Sequence, residues 1–398
     1  MKKSVCALSL LLGFVFLAGL NARDINLDAI YINQDSRLYE RLLESKIDAY
    51  REAGSRFIDR DVIFACWGDG FSIIYVKELP LLNIIRSFNR SDGRGAELFR
   101  ITGTITAFRC TANGRFLVLK RLVAVEGAIP RGETLVLDVR SKTIKKLQSS
   151  YPFIDFSLAS GGNSLFYETG KGIVEYLPDT GVARVAIQRS EYAGIATAGA
   201  PAIAYMSPNR KKAVIVSGSG GSYRSRMIVP GNAWPLPGVT SASEICWVDN
   251  NRLAYRTGES GNYSVRLYDT VSRRSVTLVR NSLNTNLQFS VFPKMISFLQ
   301  DQIICFHDLR DNESVNTGLE GEDVTFSPDG NRIVSLYLKK LFLTSVATIK
   351  KKNIEMAKAG QRISSLYRQV LGSPENLTNE YSSEYVRKKL SAYGRIGK

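Results

Sequence analysis

Short apolar runs alternate with polar turns from about residue 55 to about residue 348, and the alternation recurs. "AFRCTANGRFLVLKRL" begins at Ala107, "DFSLASGGNSLFYET" at Asp155 and "AYMSPNRKKAVIVSG" at Ala204. "EICWVDNNRLAYRTG" begins at Glu244, "QFSVFPKMISFLQ" at Gln288 and "TFSPDGNRIVSLYL" at Thr325. Each reads as a short strand, a turn built from Pro, Asp, Asn or Gly, and a second apolar strand. The anchors Phe108, Phe156, Tyr205, Cys246, Phe289 and Phe326 are roughly 37 to 49 residues apart, a period typical of propeller blades. A weaker copy, "FIDRDVIFACWGDGFSIIYV", starts at Phe57.

The second half of each unit repeats as well. "ETLVLDVRSKTIKKL" (133–147), "GIVEYLPDTGVARVAI" (172–187), "YSVRLYDTVSRRSVTLV" (263–279) and "QIICFHDLRDNESVNTG" (302–318) are each a strand, a turn and a strand. Asp138, Asp179, Asp269 and Asp308 open these turns, where a short carboxylate can accept backbone N–H groups two residues on. A unit therefore holds about four strands. A lone four-stranded sheet cannot bury both faces, whereas blades packed around an axis can. The expected fold is all-β: a six- or seven-bladed β-propeller of four-stranded antiparallel blades over 55–348. A β-helix or stacked sandwich is the alternative; the long units with several turns each favour the propeller.

The clearest turn is Ser327-Pro328-Asp329-Gly330. Proline presets φ at a turn corner, and Asp-Gly supplies residues that tolerate positive φ. On this reading the motif is structural punctuation, not a catalytic Ser–Asp pair.

The stretch Phe326-Ser327-Pro328-Asp329-Gly330-Asn331-Arg332-Ile333, with Tyr205-Met206-Ser207-Pro208-Asn209 as a degenerate copy, resembles the WD40-like repeat of the TolB family and related periplasmic propellers. The resemblance covers roughly three-quarters of the mature chain and implies a propeller. TolB proteins carry a sizeable α/β domain ahead of the propeller. Here only about 30 residues lie between Arg23 and the first unit, so the chain is not read as a true TolB, and no binding residues are carried over.

The ends differ from the repeats. Lys2 and Lys3 precede the apolar run Val5–Leu20, and small residues reach Ala22: the layout of a cleaved signal peptide over 1–22. Arg23 follows where a lipoprotein would need cysteine, so a periplasmic protein, not a lipoprotein, is expected. Residues 23–54 are expected to hold a strand at 25–33 and a helix at 36–54. The strand is expected to complete the last blade, and the helix to pack over one end of the propeller. Residues 349–398 read as a basic helical tail containing Lys350, Lys351, Lys352, Arg387, Lys388 and Lys389.

The chain of 398 residues carries a formal charge of +16, which favours acidic partners. Export removes nucleic acid from that set. What remains is an envelope or periplasmic protein, with peripheral contact to membrane or cell wall through the tail. Cys66, Cys110, Cys246 and Cys305 lie in apolar or aromatic surroundings and match no zinc spacing. They are expected as buried free thiols in strands, with at least one disulfide as the alternative.

No catalytic constellation is apparent, and no metal or cofactor is expected. His307 is the only histidine, and adjacency to Asp308 does not orient an imidazole as a triad would. "SGSGGSYRSR" (217–226) lacks the Lys-Ser/Thr of a phosphate loop and reads as a long, mobile hairpin loop whose Arg224 and Arg226 would suit an anion. Asp61, Asp69, Asp155, Asp249 and Asp323 lie near unit starts, so a carboxylate pair in a central channel is the enzymatic alternative. The leading expectation is a non-enzymatic scaffold for protein–protein interaction. The alternative is a propeller that binds or hydrolyses a polysaccharide or other small ligand in its channel.

Overall fold

The computed structural model describes residues 47–349 apart from 126–127, 149–154, 160–161, 196–201, 220–221, 237, 240–244, 260–261, 283–289, 293–294 and 301. The expected signal peptide, the strand at 25–33, most of the helix at 36–54 and the tail cations Lys350, Lys351, Lys352, Arg387, Lys388 and Lys389 lie outside these residues. The chain divides into two units, Met1–Glu52 and Ala53–Lys398. In the first, residues 47–52 are helical, and Arg51 pairs with Asp48 at 2.6 Å.

The second unit is a propeller of seven four-stranded antiparallel sheets. It opens with β1 (Arg56–Arg60). Blade 1 is β2 (Val62–Trp67), β3 (Ser72–Leu79), β4 (Leu82–Asn89) and β5 (Gly95–Ile101). Blade 2 is β6 (Thr104–Cys110), β7 (Phe116–Val125), β8 (Ala128–Asp138) and β9 (Thr143–Lys146). Blade 3 is β10 (Phe156–Leu158), β11 (Leu165–Thr169), β12 (Gly172–Leu177) and β13 (Val182–Gln188). Blade 4 is β14 (Ile203–Met206), β15 (Ala213–Ser219), β16 (Ser222–Val229) and β17 (Asn232–Pro235). Blade 5 is β18 (Ile245–Trp247), β19 (Arg252–Glu259), β20 (Asn262–Asp269) and β21 (Arg274–Ser282). Blade 6 is β22 (Ser290–Phe292), β23 (Met295–Gln300), β24 (Ile303–Asp308) and β25 (Glu313–Glu320). Blade 7 is β26 (Asp323–Phe326), β27 (Arg332–Tyr337), β28 (Lys340–Ser345) and, as its fourth strand, β1.

The burial pattern follows from that stacking. The middle strands β11, β12, β23, β24 and β27 are buried along nearly their whole length, on both faces, because each sheet has a neighbour on either side. The outer strands β9 and β13 are mostly exposed. The core is thus a ring of apolar layers between blades. Val76, Ile85, Phe108, Leu117 and Leu119 join blades 1 and 2. Phe166, Ile173, Ile187, Ala204 and Ile215 join blades 3 and 4. Val62, Ile73, Tyr75, Val334 and Leu341 join blade 1 to blade 7 and close the ring.

Ring closure departs from the sequence expectation. The strand that completes blade 7 is β1, not 25–33: Arg56 pairs with Leu343, Phe57 with Phe342 and Arg60 with Lys340. The Phe57 and Phe342 rings meet edge-on with centroids 5.9 Å apart. "FIDRDVIFACW" looks like one strand, but Asp61 takes φ +61° and divides it between blade 7 and blade 1. Every strand position of blade 7 is therefore filled.

The Ser-Pro-Asp-Gly turn has one chemistry in three blades. The buried Ser327 hydroxyl donates to Asp329 Oδ1 at 2.5 Å and accepts the Arg332 N–H at 3.0 Å. Asp329 Oδ1 accepts the Asn331 N–H at 3.1 Å. Ser207 and Asn209 in blade 4, and Thr111 and Asn113 in blade 2, repeat this arrangement. Gly330 and Gly114 take φ +66° at the turn, where Arg210 takes +61°. Gly114 has a second reason to be glycine: a Cβ there would fall 2.4 Å from the Gly68 backbone of blade 1.

The cysteines resolve differently from the free-thiol expectation. Cys66 at the end of β2 and Cys110 at the end of β6 form a disulfide between blades 1 and 2, with Cα atoms 6.1 Å apart. They lie 44 residues apart, about one repeat, which places both at the same end of adjacent inner strands. Cys246 and Cys305 are free, and burial pushes the Cys246 thiol up to about 12.

Candidate functional site

The first strands of neighbouring blades touch one another, β2 with β6 and β26, β14 with β18, β18 with β22, so they line the axis. In an antiparallel sheet, successive connections alternate between its two ends. One face of the propeller therefore holds the hairpins between second and third strands and the blade-to-blade connections; we call it the hairpin face. The other holds the Ser-Pro-Asp-Gly-type turns and the Asp-led turns; we call it the turn face.

On the turn face many of the charges are paired within the fold. Arg115 bridges Asp138 of its own blade at 2.9 Å and Asp179 of blade 3 at 2.6 Å. Arg252 pairs with Asp249 at 2.8 Å, Arg310 with Asp308 at 3.0 Å and Arg210 with Glu175 at 2.8 Å. Asp138 is held down to about 2, chiefly by the Arg115 guanidinium. Lys142, Lys145 and Arg273 lie over the rings of Phe99, Tyr176 and Trp234.

The hairpin face is asymmetric. Its hairpins each join two strands through two residues, but the blade-to-blade connections vary. Entering blades 1, 2 and 7 they are Asp61 alone, 102–103 and 321–322. Entering blades 3, 4, 5 and 6 they are 147–155, 189–202, 236–244 and 283–289. The β7–β8 hairpin is the longest, with strands of 10 and 11 residues. The connections entering blades 3 to 6 are thus much longer than those entering blades 7, 1 and 2.

Arg224 and Arg226 lie on this side, but not in a loop. The strands β15 and β16 pair without a break from Ala213↔Ile228 to Ser219↔Ser222, which corrects the long-loop reading of 217–226. The polar, glycine-rich composition hid a regular strand pair whose ladder is satisfied by its partner, not by side-chain hydrophobicity. Two residues apart on one strand, Arg224 and Arg226 share a sheet face with Ile228, which packs into the layer against blade 3. Arg224 is exposed and Arg226 half-buried. Neither has a carboxylate within ion-pair distance among the described residues.

Three residues that the sequence did not single out complete this corner. Lys171 sits exposed in the β11–β12 hairpin, and its carbonyl accepts the Arg189 N–H at 3.3 Å. Arg189 opens a one-turn helix, Arg189–Tyr192, and its Nη1 donates to Glu168 Oε1 at 3.1 Å. Glu168 is only 2% exposed; it also accepts the Tyr192 hydroxyl at 2.8 Å and the Ala202 N–H, so it pins both ends of the described part of connection 189–202. No local pattern in "LFYETGKG" announces this, because the partners are 21 to 34 residues away.

Charged side chains of blade 2 are mostly paired. Lys120 meets Asp155, and Glu133 takes Arg121 at 2.8 Å and Lys146 at 2.6 Å. Of these, Lys120, Arg121 and Glu133 line a cavity of about 200 Å³ with Thr106, Leu122, Gly132 and Thr134. Burial raises the Asp323 carboxyl, and Arg109 on β6 opposes that rise. The five aspartates near unit starts do not form one group. Asp69 and Asp249 belong to the turn face, where their Oδ1 atoms accept backbone N–H groups. His307 lies in β24, 4% exposed, with Nδ1 3.0 Å from Ser314 Oγ on β25, and burial lowers its pKa. Among the described residues no group of three His, Cys, Asp or Glu side chains could hold a metal, and no helix is long and apolar enough to cross a membrane.

No protein-family model matches the chain, and no curated protein sequence is similar to it. Solved structures do resemble it. A prolyl endopeptidase matches with a TM-score of 0.49 and 14% identity over 82% of this chain and 55% of that one. An oligogalacturonate lyase in complex with manganese matches with a TM-score of 0.46 and 10% identity over 69% of this chain and 86% of that one. TolB from Acinetobacter baumannii matches with a TM-score of 0.39 and 16% identity over 55% of this chain and 54% of that one. This chain thus spans about half the length of the endopeptidase and of TolB. The propeller assignment rests on the seven sheets themselves.

Proposed function

We propose that the chain is an exported β-propeller scaffold, without enzymatic activity, that holds a protein partner of the cell envelope on its hairpin face. The observation that carries this reading is the placement of the long connections: they enter blades 3 to 6 on one face only, while blades 7, 1 and 2 are joined by one or two residues. Loops on a rigid frame are where binding surfaces are built. The disulfide Cys66–Cys110 supports export, because such bonds persist in oxidising compartments. A tail with 11 lysines and arginines against four acidic residues after Ile349 supplies a further basic surface toward an acidic partner or the envelope.

The channel-ligand reading has weaker support. Sugar subsites use exposed aromatic faces, and the exposed aromatics among the described residues are Phe57 on the outer strand β1 and Phe71 on the turn face. Crosslinking in the cell envelope, with and without residues 350–398, tests the scaffold. One defined protein whose crosslinks map to the hairpin face is the expected result. Glycan fragments alone, or crosslinks confined to the turn face, would overturn it.

A further inference from the structure

The seam between blades 3 and 4 on the hairpin face carries four cations: Lys171, Arg189, Arg224 and Arg226. Their placement follows from the topology. Arg224 and Arg226 project from the blade-4 sheet toward blade 3. Lys171 and Arg189 stand on blade 3 and are joined through the Arg189 N–H to Lys171 carbonyl bond. A Cβ on Gly194, in the connection that bridges the two blades, would lie 3.9 Å from Arg226 Nη1, so that guanidinium reaches the bridging connection.

The local carboxylates are already committed. Glu168 is buried and takes Arg189, Tyr192 and Ala202. Glu191 Oε1 accepts the Gln188 N–H at 2.9 Å. Lys171, Arg224 and Arg226 are left without a carboxylate among the described residues. They also lie over no aromatic ring there, unlike Lys142, Lys145 and Arg273 on the turn face.

We infer that this seam receives an extended acidic segment of the protein partner, with carboxylates at alternate positions. The inference deepens the scaffold reading and rests on it. Arg224 and Arg226 are two residues apart on a strand, so their stems are spaced by about 7 Å. An extended peptide presents every second side chain at that same spacing and on one side. A strand pair held by an uninterrupted ladder presents the two arginine stems in a fixed relation, and guanidinium pairs with carboxylate through a planar fork. Binding at this exposed site would be salt-sensitive.

Fluorescence anisotropy on the full chain tests this with two labelled peptides of equal composition, one alternating Glu and Ser, the other with all Glu in one block. The alternating peptide is expected to bind at least tenfold tighter than the block peptide. It should lose at least tenfold in affinity to Arg224→Ser/Arg226→Ser, and change less than twofold with Arg94→Ser/Arg140→Ser on the turn face. Equal affinity of both peptides, or an unchanged affinity in the Arg224→Ser/Arg226→Ser variant, would overturn the inference. So would binding of polygalacturonate in place of either peptide. A thermal melt within about 2 °C of the parent shows that the variant is folded. Envelope crosslinking of the same variant separates the two ideas. A partner still recovered on the hairpin face without the arginines keeps the scaffold and removes the inferred acidic-segment site.

Discussion

Asp59, on the strand that closes the ring, accepts a hydrogen bond from Lys77 of blade 1 at 2.8 Å. The same carboxylate accepts the Tyr75 hydroxyl at 2.9 Å and faces Arg86 at 3.9 Å. Blade 7 and blade 1 are thus joined by a half-buried polar clasp beside their shared apolar layer, with both ion-pair side chains 18% exposed.

Breaking this clasp should loosen the ring. Burial alone would raise the Asp59 carboxyl, but the Lys77, Tyr75 and backbone hydrogen bonds outweigh it and hold it below the usual range. A depressed carboxylate contributes stability that is present above its unfolded value, about 3.9, and lost as pH falls through the lower folded value. Asp59→Asn should cost about 2 kcal/mol in urea unfolding at pH 7 and flatten the stability profile below pH 4. Parent-like loss of stability in acid would show that Asp59 is not the group responsible.

The disulfide should act mainly on the unfolded chain. It closes a segment of 44 residues, for which chain entropy gives about 4 kcal/mol. Cys66→Ser/Cys110→Ser is expected to lower the denaturant midpoint accordingly. In alkylation mapped by mass spectrometry, Cys246 and Cys305 should label only after unfolding. Burial keeps the Cys246 thiol neutral at any ordinary pH. Cys66 and Cys110 should label only after reduction.

The Ser-Pro-Asp-Gly turn gives a prediction on additivity. Ser327→Ala removes both a donor to Asp329 and the acceptor of the Arg332 N–H in a fully buried position. A loss of about 2 kcal/mol is expected. Ser207→Ala should cost a similar amount, since its partners Asn209 and Lys212 repeat the geometry. The two turns share no partner, so the double variant should show the sum in equilibrium unfolding. A deficit of 1 kcal/mol or so would reveal coupling between blades 4 and 7.

Glu168 should control the start of the connection from blade 3 to blade 4. Replacing it by Gln weakens three hydrogen bonds at once and leaves Arg189 without its carboxylate. Hydrogen exchange at Arg189–Ile195 is expected to quicken at least tenfold, while the middle strands β11 and β12 change little. Uniform acceleration across blade 3 would instead mean that Glu168 stabilises the whole sheet.

Local chemistry carried far in this chain. Strands, turns and period are short-range properties: "MISFLQ" and "RIVSLY" are mostly apolar without polar alternation because each blade is covered on both sides, and Asp138, Asp269 and Ser327 act on backbone groups within five residues. The sequence alone therefore determined an all-β propeller of four-stranded blades and the position of nearly every inner strand. It also pointed to Arg224 and Arg226 as unusual cations. What it could not determine was anything set by a distant partner. The break at Asp61 depends on β28 capturing β1 across nearly 290 residues of chain, and the Cys66–Cys110 bond depends on two inner strands meeting in register. The strand pair Ala213–Ser219 and Ser222–Val229 is held by its ladder despite its loop-like composition, and the seam where the two arginines lie forms only where blade 4 packs against blade 3. Hydrophobic and turn preferences act along the chain, whereas ring closure, cross-blade bonds and charge pairing act between segments that only the packed blades bring together.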